Sequence, residues 1–279
     1  MNATPTPPDQ PTWWNEEGGR RWVQNIQRVE RMIEPLSARL LQHAAPRPGE
    51  RVLDVGCGGG VTSAALARAV GPSGRVLGVD VSAVILDVAR ERFRSIGNLE
   101  FALGDAAMMP LERGGMDLLV SRFGVMFFAD PAAAFAHLRT ALAPGGRLAF
   151  ICWRALDQNP WMAECVRAAF TVLPRPESQP PHAPGPYAFA DDVRLRDILG
   201  ASGYGAIRID PLDHPLDLGS LDDAVVQMTR MGLAASAFAA ASPAEQQAAT
   251  AAVRAALEPH AVGDTVRMAS ATWLVSARI

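Results

Sequence analysis

From residue 15 to 44 the apolar positions Trp22, Ile26, Val29, Ile33, Leu36, Leu40 and Leu41 recur at spacings of three, four and seven, so one face of a helix is apolar. Pro35 falls inside that stretch and predicts an interruption. The pattern then changes. A short β-branched run at 51–55 and further strand candidates at 75–79, 99–103, 116–121 and 147–153 alternate with helical stretches at 61–70, near 83–96 and from Asp130-Pro131 onward. Asp130 can cap that last helix with Pro131 at its first position, and Pro144-Gly145-Gly146 ends it. Strands separated by helices predict a doubly wound, mostly parallel α/β sheet, with ligands beyond the carboxyl ends of its strands.

After Trp153 the rhythm breaks. Residues 154–190 hold Pro174, Pro176, Pro180, Pro181, Pro184 and Pro186 and read as an irregular insertion. A helix at 191–201 precedes two further strand candidates, 206–209 and 271–277, which bring the sheet to about seven strands. Between those two strands, Ser242-Pro243-Ala244-Glu245 is a capping box that starts an Ala-rich helix. The organisation expected is a flexible N-terminus over 1–12 and one domain over 13–279. Within that domain lie an N-terminal helix over 15–44, a core over 50–153, and two lid-like insertions, 154–190 and 212–268. A chain of 279 residues fits one large domain of this kind.

Composition narrows the function classes. The net charge is −3 and no tract of five or more Lys/Arg occurs, which argues against a nucleic-acid partner. Cys57, Cys152 and Cys165 show neither disulfide nor metal-ligand spacing, so no metal and a reducing, cytoplasmic setting are expected. No charged segment followed by an apolar run opens the chain, and no run approaches ~18 apolar residues, so neither a signal peptide nor a membrane span is expected.

The densest chemistry is Val52-Leu53-Asp54-Val55-Gly56-Cys57-Gly58-Gly59-Gly60, a strand feeding a glycine turn that opens a helix. Glycines admit positive φ and close approach of a ligand to the backbone, and the helix start offers free N–H groups. A dinucleotide fingerprint would need Gly at position 61 or 63, where Val61 and Ser63 stand, and no Gly-Lys-Ser/Thr phosphate loop follows. What remains is Gly-x-Gly-x-Gly with an acidic residue two positions before it. Val79-Asp80-Val81-Ser82, Gly104-Asp105-Ala106 and Leu142-Ala143-Pro144-Gly145-Gly146-Arg147-Leu148 follow in order on successive elements.

This series resembles the class I S-adenosylmethionine (SAM)-dependent methyltransferases, which have a Rossmann-like fold, over residues ~50–153. The resemblance implies SAM as cofactor and S-adenosylhomocysteine as product. It places Asp54, Gly56, Cys57, Gly58 and Gly60 in the cofactor loop, and Asp80 with Val81 at the ribose hydroxyls. Asp105 would meet the adenine amino group and Ala106 the ring. Ionised carboxylates accept only, which suits a ligand end rich in donors. Asp80 could instead cap the following helix, although Ser82 could fill that role.

The acceptor side is less defined. Ser121-Arg122-Phe123-Gly124-Val125-Met126-Phe127-Phe128 follows the fourth strand and lacks the Asn-Pro-Pro-Tyr type of motif that suits amino groups of polymers. With Cys152-Trp153-Arg154 and Asn159-Pro160-Trp161 it is similar to bacterial small-molecule methyltransferases related to the quinone-biosynthesis group. Arg122 could hold a carboxylate of the acceptor or of SAM, beside Phe123. Trp14 and Trp22 could fold over the cofactor, their faces favouring its sulfonium cation. His182 and Tyr187 are the acid–base candidates, although methyl transfer can proceed without a base. The expected partner is a small-molecule acceptor; a homodimer is permitted. The rival readings are an RNA or protein methyltransferase and a SAM-binding protein without methyl transfer.

Overall fold

The computed structural model describes residues 10–176, 180–231 and 233–279. Most of the expected N-terminal segment, 1–9, therefore lies outside the described residues. Residues 10–12 already belong to helix α1 (Gln10–Asn15). Helix α2 (Glu17–Ala44) follows, about 42 Å long at 1.5 Å per residue. Pro35 does not interrupt it, contrary to the sequence expectation. The residue whose carbonyl loses its donor, Arg31, is exposed, while Ile33, Leu36 and Leu40 are buried and hold the helix on the sheet.

The core alternates as expected: β1 (Arg51–Val55), α3 (Val61–Val70), β2 (Arg75–Asp80), α4 (Ala83–Phe93), β3 (Leu99–Leu103), β4 (Met116–Arg122), α5 (Pro131–Ala141) and β5 (Leu142–Trp153). Asp130 accepts from Ala133 N and caps α5 with Pro at its first turn. There follow α6 (Pro160–Ala169), α7 (Asp192–Ala201), β6 (Gly205–Asp217), α8 (Leu221–Met231), α9 (Ala235–Ala240), α10 (Pro243–Leu257), β7 (Ala261–Val262) and β8 (Thr265–Arg278). The main sheet order is β3-β2-β1-β4-β5-β8-β6, with β7 paired to β8 at the side. Strands β1 to β5 are parallel, and β8 runs antiparallel between β5 and β6.

The last two strands are far longer than the sequence suggested. Pro211 and Pro215 argue against a strand interior, yet both lie in β6, the edge strand, where a missing N–H costs no ladder bond. Because β6 reaches Asp217 and β8 starts at Thr265, the second insertion is 218–264 rather than 212–268. Its helix α10 carries the full capping box at Ser242 and Glu245. Met228 and Phe238 are buried in the core cluster, whereas Leu233 is exposed. No helix among the described residues is long and apolar enough to cross a membrane.

Candidate active site

β1 ends in a completely buried Asp54, and the chain turns at once. Gly56 has φ +67°, and a Cβ there would lie 2.7 Å from Gly124 Cα, so the loops after β1 and β4 touch main chain to main chain. The N–H groups of Gly56 and Cys57 both donate to the Val79 carbonyl at 2.8 and 3.0 Å. Gly60, at φ +80°, caps α3 without a side chain, and the first N–H groups of a helix take no intrahelical partner.

Asp80 sits at the foot of this loop. Its Oδ2 accepts from Gly58 N and its Oδ1 from Ser82 N, both at 2.9 Å. Ser82, not Asp80, is the side-chain cap of α4. With about four lone-pair sites, the Asp80 carboxylate can still accept from a diol. Burial pushes its pKa up, against the pull of those backbone donors. Asp105 stands after β3 with Oδ1 accepting from Ala107 N at 2.9 Å, and Ala106 is buried beneath it. Val81 lends its carbonyl to Asn15 Nδ2 at 2.7 Å.

That last bond belongs to a second layer. Asn15 Oδ1 accepts from Ala83 N at 3.0 Å, and Ser82 Oγ donates to the Trp14 carbonyl at 2.7 Å. α1 is thereby fastened onto the β2–α4 turn, next to Asp80. Trp14 stands edge-on to Trp22 at 5.9 Å and to Phe127 at 5.4 Å, joining α1 and α2 to the loop after β4. Phe123, itself at φ +62°, stacks on Trp153 at 4.3 Å.

Asp54 has one partner, the Ser63 hydroxyl at 2.6 Å. Burial pushes its pKa up to about 6, and the Ser63 bond and the Arg122 charge only partly offset this. Arg122 lies below α2, donating to Ser37 Oγ at 2.9 Å. Burial pushes its pKa down, opposed chiefly by Asp54 and Glu30. The Cys57 thiol is buried and driven well above its ordinary range, so Cys57 can serve through its backbone and not as a nucleophile.

Five buried side-chain polar atoms lack a partner among the described residues, and three of them, Trp22 Nε1, Asp54 Oδ1 and Thr62 Oγ1, belong to residues in or beside the glycine loop. Buried polar groups are almost always satisfied, so this cluster fits a polar ligand. An unpaired acceptor on Asp54 and an unpaired donor on Trp22 match an amino-acid end, with ammonium and carboxylate, as SAM has. Asp54, Asp80 and Asp105 against Arg122 also leave the site negative, as a ligand with a net positive charge requires.

The acid–base candidates stand apart. His182 is exposed at φ +62° in the proline-rich segment. Burial pushes the Tyr187 phenol up, away from the range of a base. Their segment nonetheless reaches the carboxyl edge: Gly185 N donates to Met126 O at 3.0 Å, and Trp273 Nε1 holds Ala190 O at 2.9 Å. A cavity of about 530 Å³ lies between α2 and the β6–α8 segment, lined by Gln24, Arg28, Arg31, Asp217, Asp223 and Gln227. Ile26 lines it too, and a Cβ on Gly59 would lie 2.3 Å from Ile26 Cδ1, so the same side chain touches cavity and loop.

Sequence reasoning missed Ser63, Asn15, Glu30 and Arg92. The only trace of Ser63 is a polar residue on the inner face of α3. Asn15 and the Glu30–Arg92 pair act across long chain separations and leave no local motif.

Fold and loop together resemble those of the class I SAM-dependent methyltransferases, a class whose cofactor is SAM. Residues 52–146 match a family described as methyltransferase domain. Among curated proteins, the chain is 33% identical over 141 residues to a Staphylococcus aureus demethylmenaquinone methyltransferase, covering 47% of this chain and 58% of that protein. It is 46% identical over 102 residues to an uncharacterized 37.1 kDa protein in transposon TN4556 of Streptomyces fradiae, covering 37% and 30%. Both matches span less than two thirds of the relative. A Haemonchus contortus phosphoethanolamine N-methyltransferase 2, solved with SAM, shares the fold with a TM-score of 0.61 at 16% identity, covering 99% of this chain and 61% of that one.

Proposed function

We propose that the chain transfers a methyl group from SAM to a small organic acceptor. The observation that carries this reading is Asp80, bound to both the glycine loop and the β2–α4 turn at the end of β2. In this reading Asp80 accepts from the ribose hydroxyls, Asp105 from the adenine amino group, and Asp54 from the ammonium of the methionine end. Arg122 and the Trp22 indole N–H face the carboxylate. Trp14, Trp22 and Phe127 exclude water and offer ring faces to a cation.

When bound, SAM supplies an electrophilic methyl carbon. The acceptor's lone pair forms the new bond as the C–S bond breaks, and the electron pair stays on sulfur in S-adenosylhomocysteine. An acceptor proton, where there is one, passes to water, since His182 and Tyr187 stand apart from the glycine loop. Alignment alone can supply ~7–11 kcal/mol of such an acceleration. A small acceptor is supported by the docking of 180–190 on the loop after β4 and by a neighbouring cavity within the usual range of small-molecule sites. The Staphylococcus aureus relative is named for a quinone acceptor, which is neither a nucleic acid nor a protein.

Calorimetric titration with S-adenosylhomocysteine tests the cofactor, and an assay with methyl-labelled SAM tests the acceptor class. No saturable binding would refute the reading. Efficient labelling of bulk tRNA, rRNA or protein would overturn the small-molecule assignment and leave the cofactor site standing.

A further inference from the structure

Glu30 and Arg92 belong to none of the cofactor motifs, yet they meet on the glycine loop. Glu30 is buried on α2, and Arg92 stands in the last turn of α4. Arg92 Nη1 and Nη2 donate to Glu30 Oε1 and Oε2, each at 2.8 Å, fork to fork. Arg92 Nη1 also reaches the Gly59 carbonyl at 3.4 Å. A Cβ on Gly59 would lie 2.3 Å from Ile26 Cδ1, 2.8 Å from Glu30 Oε1 and 3.1 Å from Arg92 Nη1. The middle of the loop is therefore gripped by α2 and by α4, the helix that follows the Asp80 turn. A pair that merely docked one helix on the other would need no contact with the loop. Bidentate arginine–carboxylate pairs also fix geometry more tightly than a point charge does.

We propose that the Glu30–Arg92 pair is a positioning clamp that holds Gly58 and Gly60 in their cofactor-binding conformation and thereby sets SAM affinity. This rests on the SAM reading of the site above. The flanking glycines depend on it because their positive φ values, +54° and +80°, are not imposed by side chains of their own. The clamp also couples the loop to α2, which carries Trp22.

The test uses Glu30→Gln, Arg92→Lys and Gly59→Ala in the full chain, with melting temperature recorded for each. S-adenosylhomocysteine affinity is measured by calorimetry, and amide exchange at 56–62 is measured without ligand. Each variant should weaken binding roughly five- to thirtyfold and speed exchange at Gly58 and Gly60, with the interior of α3 unchanged. Affinity within twofold of the parent in folded Glu30→Gln and Arg92→Lys, whatever their melting temperatures, would overturn the clamp. If Glu30→Gln does not fold, Arg92→Lys and Gly59→Ala decide. If the parent itself binds no S-adenosylhomocysteine, the cofactor reading fails, and loop exchange in the variants still decides the clamp.

Discussion

Asp54→Asn should stabilise the ligand-free protein at neutral pH while weakening cofactor binding. The carboxyl is fully buried, and burial lifts its pKa from an ordinary 3.8 to about 6. A carboxyl with a raised folded-state pKa favours folding below its unfolded pKa, where both states are protonated. That contribution is lost as pH rises through the folded value. The loss here is about 3 kcal/mol between pH 4 and pH 7, at 1.36 kcal/mol for each pH unit. Asn keeps an oxygen for the Ser63 hydroxyl and carries no charge, so it avoids the loss. Thermal melts of parent and variant from pH 3.5 to 8 should therefore diverge, the variant melting higher by up to roughly 6–10 °C at pH 7.5 and converging with the parent only below about pH 3.8. Cofactor binding has the opposite sign, because an ammonium favours the ionised carboxylate: the parent's affinity for S-adenosylhomocysteine should fall below about pH 6, and the variant's should be low throughout. Parallel melting curves across the range, or a variant that binds as the parent does, would refute the argument.

Asp80→Ala should lose two charge-assisted bonds to ribose, roughly 1.5–3 kcal/mol each before compensation, and unchanged affinity in calorimetry would remove Asp80 from the site. Gly56→Ala should lower the melting temperature and abolish S-adenosylhomocysteine binding, because φ is +67° and the new methyl would stand 2.7 Å from Gly124 Cα. Left-handed strain alone costs roughly 1–2 kcal/mol, so a variant as stable as the parent would mean that the loop moves freely. Amide exchange in 180–190 and 221–231 should slow when S-adenosylhomocysteine and acceptor bind together, and equal exchange with and without ligands would refute a lid role for both segments.

The core was legible because its signals are local. Each parallel strand is a mostly apolar run, and Ser82, Asp130 and Ser242 cap the helices that follow them. The placement of the three candidate carboxylates was legible for the same reason: Asp54, Asp80 and Asp105 stand at or just after strand ends, where parallel strands place them along one edge. The long β6–β8 pair was not, because its rules are set by position in the sheet. Pro211 and Pro215 are tolerated only because β6 has no outer neighbour, which no local window reveals. Arg122 was found as a residue but not its setting, since Ser37 lies 85 residues away in sequence. The clamp on Gly59 likewise joins residues 62 apart.

Asp54 and Asp80 are both pushed upward in pKa by burial, so the ligand-free protein holds two carboxylates at a cost to its own stability. At Asp54 an uncharged residue that keeps the Ser63 bond would fold at least as well, which points to a functional reason for the charge. The same burial removes competing water, so a cationic ligand entering the site meets a stronger field than it would at the surface. Fastening α1 over the β2–α4 turn preserves that dryness, through Asn15 and Ser82 rather than through any charge. In the proposed reading, the stability withheld from the empty fold becomes binding energy when a positively charged ligand arrives, so the same two carboxylates would set both the acid stabilisation expected of the free protein and its affinity for a cation.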